Sequence, residues 1–294
     1  MKISNLYVIS VISLLTLSGC GGGGGGETVT TQNSAVSQNT TTNYTGVASN
    51  TTNATFNANG SVSGMSALDT SNTTVAVVRN SSNAIIELKL TNAAGTTTFS
   101  TANGDTITEQ AFNEGTVTSA YNASLSRQLL VVNDSYVAVG TWYEKTGNTG
   151  YVTVAHTGTK TTVDPSTIVA NATYSGLLTG MLAENNFTAI YTISSVNAVA
   201  DFNAKTLALT SSGTKGVQTD GTYLGNYAGQ DFSVTLSDAN SDNLYTGVAT
   251  DSEGKTGNVE AMLYGANAER VAGIGTLSNG AGTRKHTFSY GAER

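Results

Sequence analysis

Residue types that commonly do chemistry are scarce in this chain: two histidines, one cysteine and one tryptophan stand among 294 residues. His156 follows an alternating apolar run, and His286 sits beside Arg284 and Lys285. An acyl-transfer centre would need a serine, a histidine and a carboxylate brought together, and no nucleophile elbow accompanies either imidazole. His156 is therefore expected to cap a strand or meet solvent. Haem ligation by His156 or His286 is the one cofactor chemistry these residues leave open, and no haem-attachment motif supports it. Asp238-Ala239-Asn240-Ser241-Asp242-Asn243 imitates the start of a calcium loop. It fails where glycine is expected, at Asn243, and where a bidentate glutamate is required, at Ala249. A polar turn is the expectation instead. Asp201 and Glu269 are expected to hold turn backbones, and no constellation for an enzyme emerges.

The single cysteine, Cys20, excludes an intramolecular disulfide and a thiolate metal site. Its setting gives it a role. Met1-Lys2 is a short basic start, and residues 6–17 form an apolar run too short to span a bilayer but suited to a signal peptide. Leu17-Ser18-Gly19-Cys20 then reads as a lipobox, cut before Cys20, which is acylated with palmitate-class chains. More than one chain at such a site gives stable anchoring. Gly21 follows in place of the aspartate that retains lipoproteins at the inner membrane. The expected location is therefore the outer membrane, with Cys20 in its lipid.

Thirteen tyrosines offer a different chemistry, recognition, because tyrosine combines contact area with few rotatable bonds. Tyr223, Tyr227 and Tyr245 fall in or near long Gly-rich connections, where binding loops are expected. The net charge of −7 supplies no basic stripe and excludes a nucleic-acid partner.

The elements that must position these residues are strands. Charged residues make up only 11% of the chain and proline occurs once, with abundant Thr, Val and Tyr, a balance that favours extended structure over disorder. Residues 1–19 read as a signal peptide and 20–43 as the lipidated cysteine with a Gly-rich polar tether. Residues 44–165 read as a β-rich domain with turns at Asn59-Gly60, Asn103-Gly104 and around Gly147-Asn148. Residues 125–130 are equally good as helix or strand. Pro165 lies in a stretch without alternation that marks a domain boundary. Residues 166–294 carry eight or nine short strands, among them 206–210, which point to a closed antiparallel barrel. Short, Thr-rich strands argue against a membrane-spanning barrel.

Several motifs in order resemble a known family. Tyr136, Gly140 and Trp142 precede an aliphatic strand ending near Gly158, then a linker with Pro165, then Ala172-Thr173-Tyr174-Ser175-Gly176-Leu177-Leu178-Thr179-Gly180. Val199-Ala200-Asp201-Phe202, Lys205-Thr206-Leu207, Leu263-Tyr264-Gly265-Ala266-Asn267-Ala268-Glu269 with Ala272-Gly273, and the terminal Phe288-Ser289-Tyr290-Gly291-Ala292-Glu293-Arg294 follow. This series, behind a lipobox, resembles the transferrin-binding protein B-like surface lipoproteins. Ala266 stands where the family often has proline, and the linker lacks the family's Pro-Gly pair. The resemblance implies an all-β chain: an N-terminal handle and a C-terminal eight-stranded antiparallel barrel, displayed outside the outer membrane. It also implies a surface-lipoprotein translocon or a TonB-dependent receptor as a partner, and a host or environmental protein, or an iron or haem source, as ligand. No binding residue carries over. The alternative is a structural or adhesive surface lipoprotein without a soluble ligand, in keeping with the Thr/Asn/Gly-rich composition.

Overall fold

The computed structural model describes residues 39–56, 62–70, 73–92, 95–133, 136–167, 170–218, 222–238 and 243–294, which all fall in one compact unit. Cys20, the signal segment and most of the tether lie outside the described residues, as do residues 239–242 of the acidic turn.

Thr, Val and Asn in long runs favour extended chain, and the first strand is the longest: β1 (Thr40–Phe56). It starts inside the stretch that composition assigns to the tether, because Thr40 to Thr45 find partners in a later strand. β2 (Val62–Thr70) and β3 (Thr74–Arg79) return alongside it, pairing Thr70 with Asn50 and Thr74 with Thr45. β4 (Ile85–Asn92) and β5 (Gly95–Ser100) extend the sheet beyond β3. β6 (Thr106–Phe112), β7 (Gly115–Tyr121), β8 (Arg127–Asn133), β9 (Val137–Thr146) and β10 (Thr149–Gly158) form a meander whose last member pairs with the second half of β1. A register shift between Gly46 and Ala48 marks where β1 passes from one set of partners to the other. Tyr44, Val77, Leu88, Phe99, Leu129, Val131 and Trp142 fill the core of this handle. Leu125, ambiguous in sequence, sits at φ 54° in the turn before β8, so its neighbours are strand and not helix.

The second half of the chain closes on itself. β11 (Asn171–Glu184), β12 (Ile190–Asp201), β13 (Thr206–Val217), β15 (Phe232–Ser237), β16 (Leu244–Asp251), β17 (Thr256–Tyr264), β18 (Arg270–Ser278) and β19 (Arg284–Glu293) form an eight-stranded antiparallel barrel, completed by pairing of β11 with β19. The short β14 (Tyr223–Asn226) adds to the far end of β13. Closure leaves no free edge among the eight. Several strands are longer than periodicity indicates. β13 runs for 12 residues, because its ladder continues through Gly213 at φ 67°. A shift in the β12–β13 register near Ser195 accommodates that break.

Side chains fill the barrel. Tyr174, Leu178, Phe202, Leu207, Leu236, Tyr245, Phe288 and Tyr290 share its core. Gly273 lies opposite Tyr290 and Gly275 opposite Phe288 in the β18–β19 ladder, so each ring lies over a residue without a side chain. The Tyr290 hydroxyl donates to the Glu260 carbonyl at 2.9 Å. The β17–β18 hairpin turns through Gly265 at φ 84° and Ala268 at φ 54°. Glu269 holds that turn, accepting from the Asn267 backbone at 2.8 Å and from its amide at 2.9 Å. Burial alone would raise the Glu269 pKa, but these bonds and Arg294 keep it low.

Handle and barrel pack through β9, whose residues Val137 to Tyr143 are all buried. Ala138 and Trp142 face the handle core, while Val137, Val139 and Tyr143 face the barrel. A strand covered on both faces loses the apolar–polar alternation, which explains the unbroken run in the sequence. Between the two layers, Thr141 Oγ1 donates to the Thr179 carbonyl at 2.8 Å. After β10, Thr161 N donates to the Leu263 carbonyl at 3.0 Å and Gly265 N to the Thr159 carbonyl at 2.9 Å, tying the connecting segment to the barrel hairpin.

A side chain at Gly273 would collide with the Glu260 carbonyl and the Tyr290 ring. Gly273→Val is expected to destabilise the protein by about 3 kcal/mol, the upper range for overpacking. Urea unfolding followed by tryptophan fluorescence measures it.

Candidate ligand-binding groove

One mouth of the barrel carries the β11–β12, β13–β15 and β16–β17 connections, and here the barrel wall diverges from the handle. The opening is a groove of about 740 Å³, within the size range of ligand sites. Met181, Ile190, Tyr191 and Val217 come from the barrel, Tyr143 and Lys145 from β9, and Leu125 and Gln128 from the β7–β8 corner.

Local hydrogen bonds set each wall. Asn122 Oδ1 accepts from Arg127 N at 3.1 Å and its amide donates to Ser126 Oγ at 2.9 Å, forming the turn that thrusts Leu125 outward. Lys145 N donates to the Ser126 carbonyl at 2.7 Å and joins this turn to β9. In the β11–β12 turn, Asn186 adopts φ 71° and Phe187 N donates to the Glu184 carbonyl at 3.0 Å. Phe187 is 61% exposed, Leu125 49% and Leu224 43%. Large apolar side chains that converge on one open groove are unusual on a protein surface.

The groove floor carries two buried tyrosines, Tyr143 and Tyr191. Burial raises the Tyr143 pKa to about 12. Burial, then Tyr143 beside it, raises that of Tyr191 further. The Tyr191 hydroxyl is buried and has no hydrogen-bond partner among the described residues.

A polar plug closes the barrel beside the groove. Lys255 Nζ, buried, lies 2.7 Å from Asp251 Oδ2 and 3.0 Å from Glu253 Oε2. Arg284 pairs with Glu253 and, through Nε, with Glu184 at 3.2 Å. Burial opposes the charge on Glu253, yet Lys255 and Arg284 hold its pKa below the usual range. Gln230 caps the cluster with its side-chain amide fully buried. His286 projects into the barrel, with Nε2 2.9 Å from Thr192 Oγ1. Desolvation first, then Lys255 and Arg284, lowers its pKa to about 3, so it is neutral.

His156 departs from the sequence expectation of a capping or solvated residue. It is buried between handle and barrel, with Nδ1 2.6 Å from the Tyr264 hydroxyl and Nε2 3.5 Å from Glu260 Oε1. The two imidazoles lie in separate environments, and neither reaches the surface, where a haem iron could be ligated. Asp201 Oδ1 accepts from Ala204 N at 2.9 Å and holds a turn, as its sequence position indicates. Asp238 Oδ2 accepts from Asn243 N at 3.0 Å, while the Asn243 amide donates to the Thr161 and Val163 carbonyls, each at 3.2 Å. This end of the acidic stretch therefore braces the connecting segment.

The three tyrosines chosen from sequence do not come together. Tyr223 is 54% exposed on β14, beside Leu224, and its hydroxyl donates to Asn226 Oδ1 at 2.6 Å. Tyr227 is half-buried and lays its ring over Gly216, where a side chain would collide with it. Tyr245 is 2% exposed, inside the barrel near the opposite mouth, because it shares inward parity with Ala249. Sequence reasoning missed Phe187, Leu125 and Leu224. Their signal is a bulky apolar residue at a turn or a short strand, visible only once the corners are known.

No protein-family model and no curated protein matches the sequence. Among solved structures, the chain is similar to transferrin binding protein B from serogroup B Neisseria meningitidis (13% identity over 86% of this chain and 76% of that one, TM-score 0.42). It is similar also to a double mutant of the Haemophilus parasuis protein of that name (11%, 87% and 76%, TM-score 0.39). HpuA from Kingella denitrificans, solved in complex with human haemoglobin, is a third (12%, 89% and 88%, TM-score 0.42).

Two outcomes follow from the buried groups. The folded pKa of His286 lies below its unfolded value of about 6.5, so its contribution to stability is complete above that pH. It declines as pH falls towards 3, by about 2 kcal/mol at pH 5. His286→Gln is expected to flatten this part of the stability–pH curve, measured by urea unfolding across pH. Tyr191→Phe removes a hydroxyl that has no partner among the described residues and is expected to be neutral or stabilising by about 1 kcal/mol in the same assay.

Proposed function

We propose that this protein is a lipid-anchored binding module of the outer membrane that captures a protein ligand at the groove between handle and barrel. Cys20 carries the anchor, and the tether holds the folded part clear of the lipid, facing the cell exterior. A surface-lipoprotein translocon would export it, and a TonB-dependent receptor would accept what it captures if the ligand is a source of iron or haem.

The observation that carries this reading is the convergence of exposed Phe187, Leu125 and Leu224 on one groove of about 740 Å³. Interfaces place their affinity in a few buried aromatic and aliphatic anchors, and an open apolar groove receives such anchors. Tyr223, on the same short strand as Leu224, extends this face, and Tyr227 supports it from beneath. Tyr245 contributes to the barrel core and is not assigned to the ligand.

Capture from host or environmental fluid by the immobilised protein, read by mass spectrometry, tests the reading. The doubly substituted Phe187→Ser, Leu224→Ser protein is expected to lose at least about tenfold in affinity for the captured ligand, with its melting temperature unchanged. Retention of full affinity would remove the groove as the binding face.

A further inference from the structure

The junction between handle and barrel encloses a titratable pair whose hydrogen bonding is incomplete. His156, on β10, is fully buried there, and its polar neighbours Tyr264 and Glu260 come from β17 of the barrel. Nδ1 lies 2.6 Å from the Tyr264 hydroxyl, while Nε2 stops 3.5 Å from Glu260 Oε1. Both Nε2 and Oε1 are buried, and neither has a hydrogen-bond partner among the described residues. Buried polar atoms are seldom left in that state. The rest of the Glu260 side chain reaches outward: it is 27% exposed and borders a hollow of about 350 Å³ on the outer barrel wall. The packed elements bring no second ion partner to the ring among the described residues. β1, paired with β10, has Tyr44 as its single titratable residue, in the handle core. On β9, Val139 lies opposite His156, and Tyr143, Glu144 and Lys145 stand towards the β9–β10 hairpin. Lys160, beyond the end of β10, meets Tyr264 through its backbone. On β18, Arg270 pairs with Glu293 at 2.9 Å. On β19, the Tyr290 hydroxyl bonds to the Glu260 carbonyl, and Arg284, Lys285 and His286 lie towards the Phe187 mouth. Burial, then Glu260, raises the Tyr264 pKa, so its hydroxyl keeps its proton.

We propose that His156 and Glu260 form a proton-operated latch between handle and barrel, in which proton uptake by the imidazole turns their 3.5 Å approach into a charge-assisted hydrogen bond. A neutral imidazole carries one N–H and can donate to Tyr264 or towards Glu260, not to both. The imidazolium carries two, and meets the Tyr264 oxygen at Nδ1 and the carboxylate at Nε2 together. A movement of under about 1 Å brings the pair to the length of such a bond. The proton comes from solvent by way of Glu260, which borders the hollow on one side and the ring on the other. The latch engages towards acid, across the range in which histidines ordinarily change charge, about pH 8 to 5. Its sense is opposite to that of His286, which burial, then Lys255 and Arg284, keeps neutral. One histidine thus fastens the two layers as the other begins to loosen the barrel end.

Urea unfolding of the full chain and of its His156→Gln form, from about pH 8 to pH 5, tests the latch. The unsubstituted chain is expected to gain on His156→Gln as pH falls, by at least about tenfold in the ratio of their unfolding constants. His286 is common to both chains and cancels from the ratio. With Glu260→Gln in both chains, the ratio is expected to stay level with pH. A level ratio in the chain that retains Glu260 overturns the proposal, and so does a pH dependence that persists in Glu260→Gln. Should His156→Gln fail to fold, NMR of the imidazole groups decides, because the chain has two histidines and His286→Gln assigns them. The His156 signal is expected to titrate within the same range, with its midpoint at least about one pH unit lower in Glu260→Gln. A His156 signal that does not titrate there, or titrates alike in both proteins, overturns the latch.

Discussion

Two-sided burial of β9 is the constraint on which the remaining architecture depends. Its residues from Val137 to Tyr143 must satisfy the handle core on one face and the barrel wall on the other. Small and hydroxylated residues on the facing strands, Thr179, Ser289 and Gly291, allow the two layers to approach, and the Thr141–Thr179 bond fixes their register. A bulky residue at any of these positions would part the layers. The groove exists because this contact ends: past Tyr143 the strand leaves the barrel, and the opening that follows is bounded by whichever side chains the nearby turns present.

Filling of the barrel decides where recognition can occur. Aromatic rings over Gly273 and Gly275, and the cluster of Tyr174, Tyr245 and Tyr290, occupy the central space. At the Phe187 mouth, charges close what rings do not: buried Lys255 and Asp251 and part-exposed Glu253 and Arg284 compensate one another, while His286 stays neutral. Such a network contributes little net stability compared with an apolar plug, but removing one member would leave its partner's charge uncompensated. The described interior is filled as scaffold.

Local features were legible in the sequence, and features assembled from distant segments were not. The β17–β18 hairpin, the role of Glu269 and the barrel class follow from alternation, turn residues and strand count, which act over a few residues. His156 was misread because its burial comes from β17, about a hundred positions away in sequence, which nothing near His156 records. Tyr245 was placed by its Gly-rich surroundings, whereas its parity with Ala249 already turned it inward. β13 was read short because Ser, Ser and Gly interrupt the apolar pattern while the backbone ladder continues. The groove draws on six strands, β8, β9, β11, β12, β13 and β14, and on the turns before β8 and β12, so no window of the sequence contains it.

β1 has a mechanical consequence. It is the first described strand, and it is bonded along its length to β3 and β2 on one side and, over its second half, to β10 on the other. A pull on the chain before Thr40 runs along the strand axis and loads these ladders in shear. The bonds then resist together and cannot be opened one at a time, as they would be at a hairpin peeled from its end. A domain tethered on that side and gripped at the far end of the barrel would transmit tension through its longest strand without first losing its shape.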